Sequence, residues 1–166
     1  MSKVSVIIPI FRVEKFIERC AISLFEQTLD SIEYIFVDDT TPDKSIEILT
    51  DVLERYPQRK PQVTILRHDV NKGLPAARNS GLSVAGGEYV FHCDSDDYLE
   101  SNALEQMLNV AEKTDSDIVW CDYYLSFSMN ERIMVQPNYS NSQEAIKGMP
   151  VSYTHLRAHE TSLHLV

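Results

Sequence analysis

The acidic run DSDD at residues 94–97 is the strongest candidate for chemistry in the sequence, with three carboxylates inside four residues. Carboxylates this close together repel one another, so such a cluster usually binds a cation or opens to solvent. Asp oxygens are hard ligands that suit Mg²⁺ or Mn²⁺. Taken alone, the run more often forms a solvated loop that caps the next helix. The rest of the chain must decide between these two interpretations.

Strand-like and helix-like patterns alternate along the chain that positions this run. Strands are predicted at Val4–Ile10, Tyr34–Val37, Val63–Leu66, Tyr89–Cys93 and Asp117–Trp120, and a hairpin at Tyr123–Phe127 with Arg132–Val135. Helices are predicted from Glu14, after Thr41-Pro42-Asp43, at Leu74–Val84, at Ser101–Lys113 and at Ser142–Lys147. Thr41 is expected to cap the second helix, with Pro42 at its first position. The alternation predicts an α/β fold with a mostly parallel sheet flanked by helices.

Three of the predicted strands end in residues that could form a site. Pro9 to Phe11 end the first strand, Asp38 and Asp39 follow the second, and the acidic run follows the fourth. Ligands of parallel α/β sheets bind beyond the carboxyl ends of the strands. The sequence therefore predicts that these segments meet in one site at that edge.

Composition restricts the classes of partner. The formal net charge of −10 argues against nucleic-acid binding, which needs a basic surface, whereas a nucleotide can bind an acidic site through a metal. No apolar run reaches membrane-spanning length, and the three cysteines form no CxxC pair. We expect a cytoplasmic protein, with peripheral contact at the inner face of the membrane if its acceptor is lipid-linked.

Four motifs in order carry a resemblance to a known family: VSVIIPIF, IFVDD, NKGLPAARNSGL and GGEYVFHCDSDDYL. Together they make residues 3 to 124 resemble the family 2 glycosyltransferases, which have the Rossmann-like GT-A fold. The resemblance implies transfer of a sugar from a nucleotide-sugar donor, UDP-linked by expectation, to an acceptor hydroxyl with inversion. Two positions differ from the usual pattern: Thr40-Thr41 stands where Gly-Ser is frequent, and Phe11 where Tyr is frequent.

The family motifs also imply roles for individual residues. The nucleotide-sugar-binding set is Pro9, Phe11, Asp38, Asp39, Asn71, Arg78, Asp94 and Ser95, and the metal ligands are Asp94 and Asp96. Pro9 and Phe11 would line the base pocket, Asp39 would bind the uracil or ribose, and Asn71 and Arg78 would lie near the base and diphosphate. The expected cofactor is Mn²⁺ or Mg²⁺, which offsets the charge that the leaving diphosphate gains.

The acceptor side of the resemblance is missing. An inverting transferase needs a base to take the acceptor's proton, and no segment after Tyr124 supplies a recognisable one. We therefore expect residues 1–150 to be an incomplete donor-binding domain, deficient in transfer and inclined to self-associate through exposed apolar surface. Residues 151–166 resemble a translated adaptor and are expected to be a non-native or disordered tail.

Three other classes of protein share parts of this pattern. A signalling receiver domain also has an acidic metal pocket, but its paired acids would follow the first strand. A nicotinamide-dependent oxidoreductase would need a Gly-x-Gly-x-x-Gly turn after that strand. A nucleotidyltransferase would need a basic, glycine-rich loop there, and the sequence has Phe11-Arg12-Val13-Glu14.

Overall fold

The structure is a computed structural model, and it describes residues 2–127 and 130–136. The strands are β1 (Val4–Ile10), β2 (Ile32–Asp38), β3 (Val63–Arg67), β4 (Tyr89–His92), β5 (Tyr123–Phe127) and β6 (Asn130–Met134). The helices are α1 (Ile17–Phe25), α2 (Ser45–Arg55), α3 (Leu74–Leu82) and α4 (Ala103–Thr114), with a 3-10 turn at Lys60–Gln62. This order confirms the predicted α/β fold.

Strands β1 to β4 form a parallel sheet in the order β3-β2-β1-β4, while β5 and β6 form the predicted antiparallel hairpin. All seven residues of β1 are buried, and β1 pairs with β2 on one side and β4 on the other. The strand order reverses beside β1, because the chain moves outward to β2 and β3 and then returns to β4. Such a reversal point is where open α/β sheets bind ligands.

Alternating side chains of β1 explain the layers on either face of the sheet. Val6 and Ile8 face a core built with α1, α2 and α4, whereas Ile7 faces a smaller core that includes Ala77 of α3. This period of two, combined with apolar helix faces, buries both sides of the strand. The helices therefore hold the carboxyl edge of the sheet from two sides.

Pro9 ends the pairing between β1 and β4. The last backbone contact between these strands is the Cys93 N–H donating to Ile7 O at 3.0 Å. Successive residues of a strand point their backbone groups to opposite neighbours, so position 9 faces β4 as position 7 does. Proline has no N–H to continue that ladder. The chain after Cys93 is thus free to diverge from β1, while Asp39 N–H still donates to Ile10 O on the β2 side.

Gly81 allows α3 to pack closely on the sheet, and its replacement tests that contact. A Cβ at this position would lie 2.5 Å from Ile7 Cγ2 and 3.4 Å from Val37 Cγ2. We expect Gly81→Ala to lower the free energy of unfolding by about 1–3 kcal/mol, although alanine is the better helix former. Denaturant unfolding measures this, with Gly86→Ala as the control because its Cβ would meet only Glu33 Oε1, at 3.6 Å. Equal stability of the two variants would contradict the packing argument.

Three predicted elements differ from the structure. Helix α1 begins at Ile17 and not at Glu14, because residues 14–16 form a turn in which the Phe16 N–H donates to Val13 O at 2.9 Å. Helix α2 begins at Ser45 rather than after Thr41, because the Thr41 hydroxyl accepts the Arg12 N–H at 2.8 Å and donates to Asp43 Oδ1 at 2.7 Å. The predicted strand Asp117–Trp120 is wrong: this segment is irregular, and the apolar side chain of Ile118 is 47% exposed instead of packed in the core. The predicted helix Ser142–Lys147 and the tail 151–166 lie outside the described residues.

Candidate functional site

The acidic run is held at the carboxyl edge by an ion pair with α3. Arg78 Nη2 lies 2.7 Å from Asp94 Oδ1, and both side chains are largely buried. The Arg78 Nε is also buried, and within the described residues it has no hydrogen-bond acceptor. Buried donors are almost always paired, so this arginine keeps one donor that the described part of the chain does not satisfy.

Asp39 is a buried carboxylate at this edge, only 3% exposed, and three hydrogen bonds hold it. Its Oδ1 accepts the Lys72 N–H at 2.8 Å and lies 2.7 Å from His68 Nδ1, and its Oδ2 accepts the Gly73 N–H at 2.7 Å. Gly73 has a φ of +84° and precedes the first turn of α3. Asp39 thus places a negative charge at the positive end of that helix.

The pKa of Asp39 reflects two opposing effects. Burial raises it, because a carboxylate loses its water shell. The hydrogen bonds from Lys72, His68 and Gly73 favour the charged form and together lower the pKa below its usual value. Asp39 is therefore a carboxylate at neutral pH, and it stabilises the turn at residues 71–73.

The neighbouring sequence-predicted residues occupy the same edge. Asn71 Nδ2 donates to the backbone oxygen of Asp39 at 3.3 Å, so the turn is tied to β2 by side chain and main chain. Asp38 is buried, accepts the Thr41 N–H at 2.8 Å, and lies 3.3 Å from Arg67 Nε. These contacts commit Asp38 to holding the loop after β2.

The end of β1 presents one buried and one exposed residue. Pro9 is buried within the strand, opposite Val37 of β2. Phe11 is 40% exposed, and the Arg12 guanidinium lies 5.2 Å from its ring centroid. An exposed aromatic face at a ligand-binding edge can stack on a planar ring.

The remaining residues of the acidic run form a tight turn that opens to solvent. The Asp97 N–H donates to Asp94 O at 3.0 Å, Ser95 is buried, and Asp96 and Asp97 are exposed. In the described part of the chain no three His, Cys, Asp or Glu side chains converge on one point. Two Asp carboxylates do fit Mg²⁺ or Mn²⁺ in a substrate site, because these ions often use one or two carboxylates plus phosphate oxygens.

Two residues of this edge were not among the predicted site residues. His68 follows β3 and bridges Asp39 to Ser80, with Nε2 2.8 Å from the serine Oγ. Its position at the end of a predicted parallel strand was a signal that could have found it. Asp43 joins the loops after β1 and β2: its Oδ2 accepts the Glu14 N–H at 3.0 Å and its Oδ1 accepts the Ser45 hydroxyl at 2.6 Å.

Asp43 gives a pH-dependent prediction. Burial raises its pKa, but hydrogen bonds from Ser45, Thr41 and Glu14 outweigh burial and lower the pKa to about 2 from 3.8. A depressed folded-state pKa stabilises the fold above the unfolded value, and this contribution is lost as pH falls from 3.8 towards 2. We expect Asp43→Asn to flatten the pH dependence of unfolding free energy in that interval. Denaturant titration at each pH measures the unfolding free energy. If it falls as steeply between pH 4 and 2 in Asp43→Asn as in the wild type, Asp43 is not the group responsible.

Comparison with solved structures defines the class of protein. Residues covering 70% of the chain superpose on S. aureus TarS residues 1–349 in complex with UDP, with a TM-score of 0.63 and 31% identity, over 34% of that chain. A mannosyltransferase from Pyrobaculum calidifontis, in complex with GDP-Man and Mn²⁺, shares the fold at a TM-score of 0.61 and 23% identity, over 72% of this chain and 35% of that chain. The fold is that of the GT-A glycosyltransferases.

Sequence comparison identifies the family. The model of Glycosyl transferase family 2 matches residues 5–163, and the chain belongs to that family. It is 40% identical over 159 residues to the uncharacterized glycosyltransferase EpsJ of Bacillus subtilis, covering 95% of this chain and 44% of that protein. It is 38% identical over 119 residues to a poly(ribitol-phosphate) beta-glucosyltransferase of Bacillus spizizenii, covering 70% and 18%. The chain therefore spans less than half the length of these relatives.

Membership of this family favours the transferase over the signalling, oxidoreductase and nucleotidyltransferase alternatives. None of the helices within residues 2–127 and 130–136 combines the length and apolar character needed to cross a bilayer.

Proposed function

We propose that this chain binds a nucleotide-sugar donor at the carboxyl edge of its sheet and forms the donor side of an inverting glycosyltransferase. One observation carries the proposal: the loops after β1, β2 and β4 lie at the carboxyl edge beside the point where the strand order reverses, and polar contacts join them. Hydrogen bonds tie the loop after β1 to the loop after β2, and Asp39 and Asp94 tie the loops after β2 and β4 to α3. Residues 1–150 would make up this donor-binding unit.

The diphosphate end of the donor would lie over the acidic run. Asp96 and Asp94 would hold Mg²⁺ or Mn²⁺, which when bound offsets the charge that develops on the leaving diphosphate. Arg78 would donate to diphosphate oxygens, since it is held at Asp94 by Nη2 and its Nε has no acceptor among the described residues. Ser95, buried in the turn, would fix its backbone.

The nucleoside end would lie between β1 and β2. Phe11 would stack on the base, and Pro9 would support that wall of the pocket from within the strand. Asp39 has a lone pair left on Oδ2, which would accept from the base or ribose. Asp38 and Asn71 would act by holding the loops beside Asp39.

UDP is the favoured nucleotide, because the solved relative at 31% identity is described in complex with UDP and with UDP-GlcNAc.

The acceptor would be a saccharide or lipid-linked hydroxyl, and transfer would take place in the cytoplasm at the inner face of the membrane. The proton of the acceptor hydroxyl would go to a base that we expect downstream of this chain, so the isolated 166-residue chain is expected to bind donor without turnover. Exposed Tyr124 and Ile133 on the hairpin, with Val135 just beyond it, would favour self-association.

A thermal-shift screen tests the proposal. UDP, GDP, ADP and CDP are added to the chain with MnCl₂ or with EDTA, and UDP is expected to raise the melting temperature most, chiefly with Mn²⁺. An equal response to all four nucleotides, or a response independent of metal, would contradict the assignment of the site. Turnover of a UDP-sugar onto an added acceptor by this chain alone would overturn the expectation that the base lies elsewhere.

A further inference from the structure

Gln27, just beyond the C-terminus of α1, is buried and makes three side-chain hydrogen bonds, two of them to the chain that leads from the acidic run into α4. It is 2% exposed, whereas glutamine is usually a surface residue. Its Nε2 donates to Glu100 O at 2.7 Å and to Ser23 O at 3.0 Å, and its Oε1 accepts the Leu104 N–H at 3.1 Å. The side-chain amide of Gln27 thus bonds a backbone oxygen of the chain after the acidic run and a backbone N–H in the first turn of α4.

Other residues of α1 continue this contact towards the acidic run. The Ser23 hydroxyl accepts the Leu99 N–H at 3.2 Å, and Cys20 Sγ lies 3.9 Å from Asp94 O. Positions 20, 23 and 27 are spaced by three and four residues, so they share one face of the helical path. Residues 94–104 therefore lie as a strap along α1, with Gln27 at the far end.

The position of Gln27 is fixed from its other side by a buried arginine. Arg59 Nη2 donates to Gln27 O at 2.6 Å, and Arg59 Nε donates to Phe25 O at 3.1 Å. These bonds satisfy carbonyl groups at the end of α1, where no intrahelical donors are left. Gln27 is consequently held rigidly at the end of α1, and its side-chain hydrogen bonds fix the position of the strap relative to that helix.

We propose that Gln27 is a positioning residue for the metal-binding turn, an inference that rests on the proposed function. Asp96 is exposed and projects from a turn whose downstream end is anchored at Glu100, four residues later. Removing that anchor lets the turn vary in position, and displacement of a metal ligand weakens the metal–diphosphate contact without touching the base pocket. Gln27 itself contacts neither metal nor nucleotide.

The test compares Gln27→Met with Gln62→Met. Methionine keeps the length of the side chain and removes all three hydrogen bonds of the Gln27 amide. Gln62 is a matched control, because it also contacts Arg59, through Oε1 at 3.0 Å, and donates to Asp30 O at 2.5 Å, away from the acidic run. The dissociation constant for UDP is measured calorimetrically with MnCl₂ and with EDTA. The constant in EDTA divided by the constant in MnCl₂ is the gain in UDP affinity that the metal provides.

We expect Gln27→Met to reduce that gain about tenfold and to leave the affinity in EDTA unchanged. Gln62→Met is expected to keep the full gain, with a smaller loss of melting temperature because Gln62 is only partly buried. Amide hydrogen exchange is expected to accelerate at Leu99 and Leu104 in Gln27→Met alone. Gln27→Glu is a second variant in case methionine prevents folding: it still accepts the Leu104 N–H but cannot donate to Glu100 O, so it is expected to lose the gain as well.

The outcomes separate this inference from the function on which it rests. If Mn²⁺ increases the UDP affinity of the wild type and of both Gln27 variants by the same factor, the positioning role is overturned and the proposed function stands. A wild type without any metal gain would overturn the metal part of the proposed function, and the positioning role with it. Loss of UDP affinity in EDTA to the same extent as in MnCl₂ would show Gln27 to be structural only.

Discussion

Asp39→Ala is expected to lower the free energy of unfolding by about 3–5 kcal/mol and to abolish measurable UDP binding. The substitution leaves the buried His68 Nδ1 and the partly buried Lys72 and Gly73 N–H groups without their acceptor. Each unsatisfied buried donor costs about 1–3 kcal/mol, and the first turn of α3 loses its opposing charge. Denaturant unfolding gives the stability, and calorimetry gives the affinity.

Two further substitutions make the Asp39 experiment specific. Asp69→Ala removes an exposed carboxylate one residue beyond His68, and it is expected to change stability by less than about 0.5 kcal/mol. Asp39→Asn keeps one acceptor oxygen but turns an amide NH₂ towards a donor, so its stability is expected to fall between wild type and alanine. An Asp39→Ala protein as stable as Asp69→Ala would show that the network around Asp39 contributes little to folding.

Asp96→Ala is expected to remove the metal-dependent part of UDP affinity, about 100-fold or more, with little effect on stability. Asp96 is exposed and stands in the middle of the acidic turn, so folding does not depend on its side chain. The diphosphate would lose its main link to the protein through the metal. Measuring the UDP dissociation constant in MnCl₂ and in EDTA separates this loss from any effect on the base pocket.

Asp51→Ala provides the charge control for Asp96, since it removes an exposed carboxylate from α2 and is expected to bind UDP as the wild type does. A reduced affinity in EDTA for Asp96→Ala would indicate an altered turn and not a lost metal ligand. Retention of the full Mn²⁺ gain would exclude Asp96 as a ligand.

The sequence predicted the parallel sheet, and it placed the candidate site residues at strand ends, because strand periodicity and strand-end residues are local features. The buried strand β1 shows no polar residue after Ser5, and its pattern identifies it without tertiary information. The hairpin was found by the same local reasoning, and the structure confirms it.

The misplaced start of α2 shows where local reasoning ends. Thr41-Pro42 has the composition of a helix start, but the Thr41 hydroxyl is occupied by the backbone of Arg12, a residue 29 positions away. The Asp39–His68 contact likewise joins the ends of two strands, and the sequence shows only that both ends lie at one edge. Propensity predicts which residues can cap a helix, and tertiary contacts decide which one does.

The two thiols behind the acidic turn make its opening measurable. Cys20 and Cys93 are buried, both lie within 4 Å of Asp94 O, and Cys121 is exposed. A hydrogen bond with Cys20, then burial, raises the pKa of the Cys93 thiol well above its usual range, which keeps it unreactive while the turn is closed. An alkylating reagent should therefore modify one cysteine quickly and the other two slowly. The slow rate of alkylation reports how often the core around Cys20 and Cys93 opens, and its dependence on denaturant separates local opening at the turn from global unfolding.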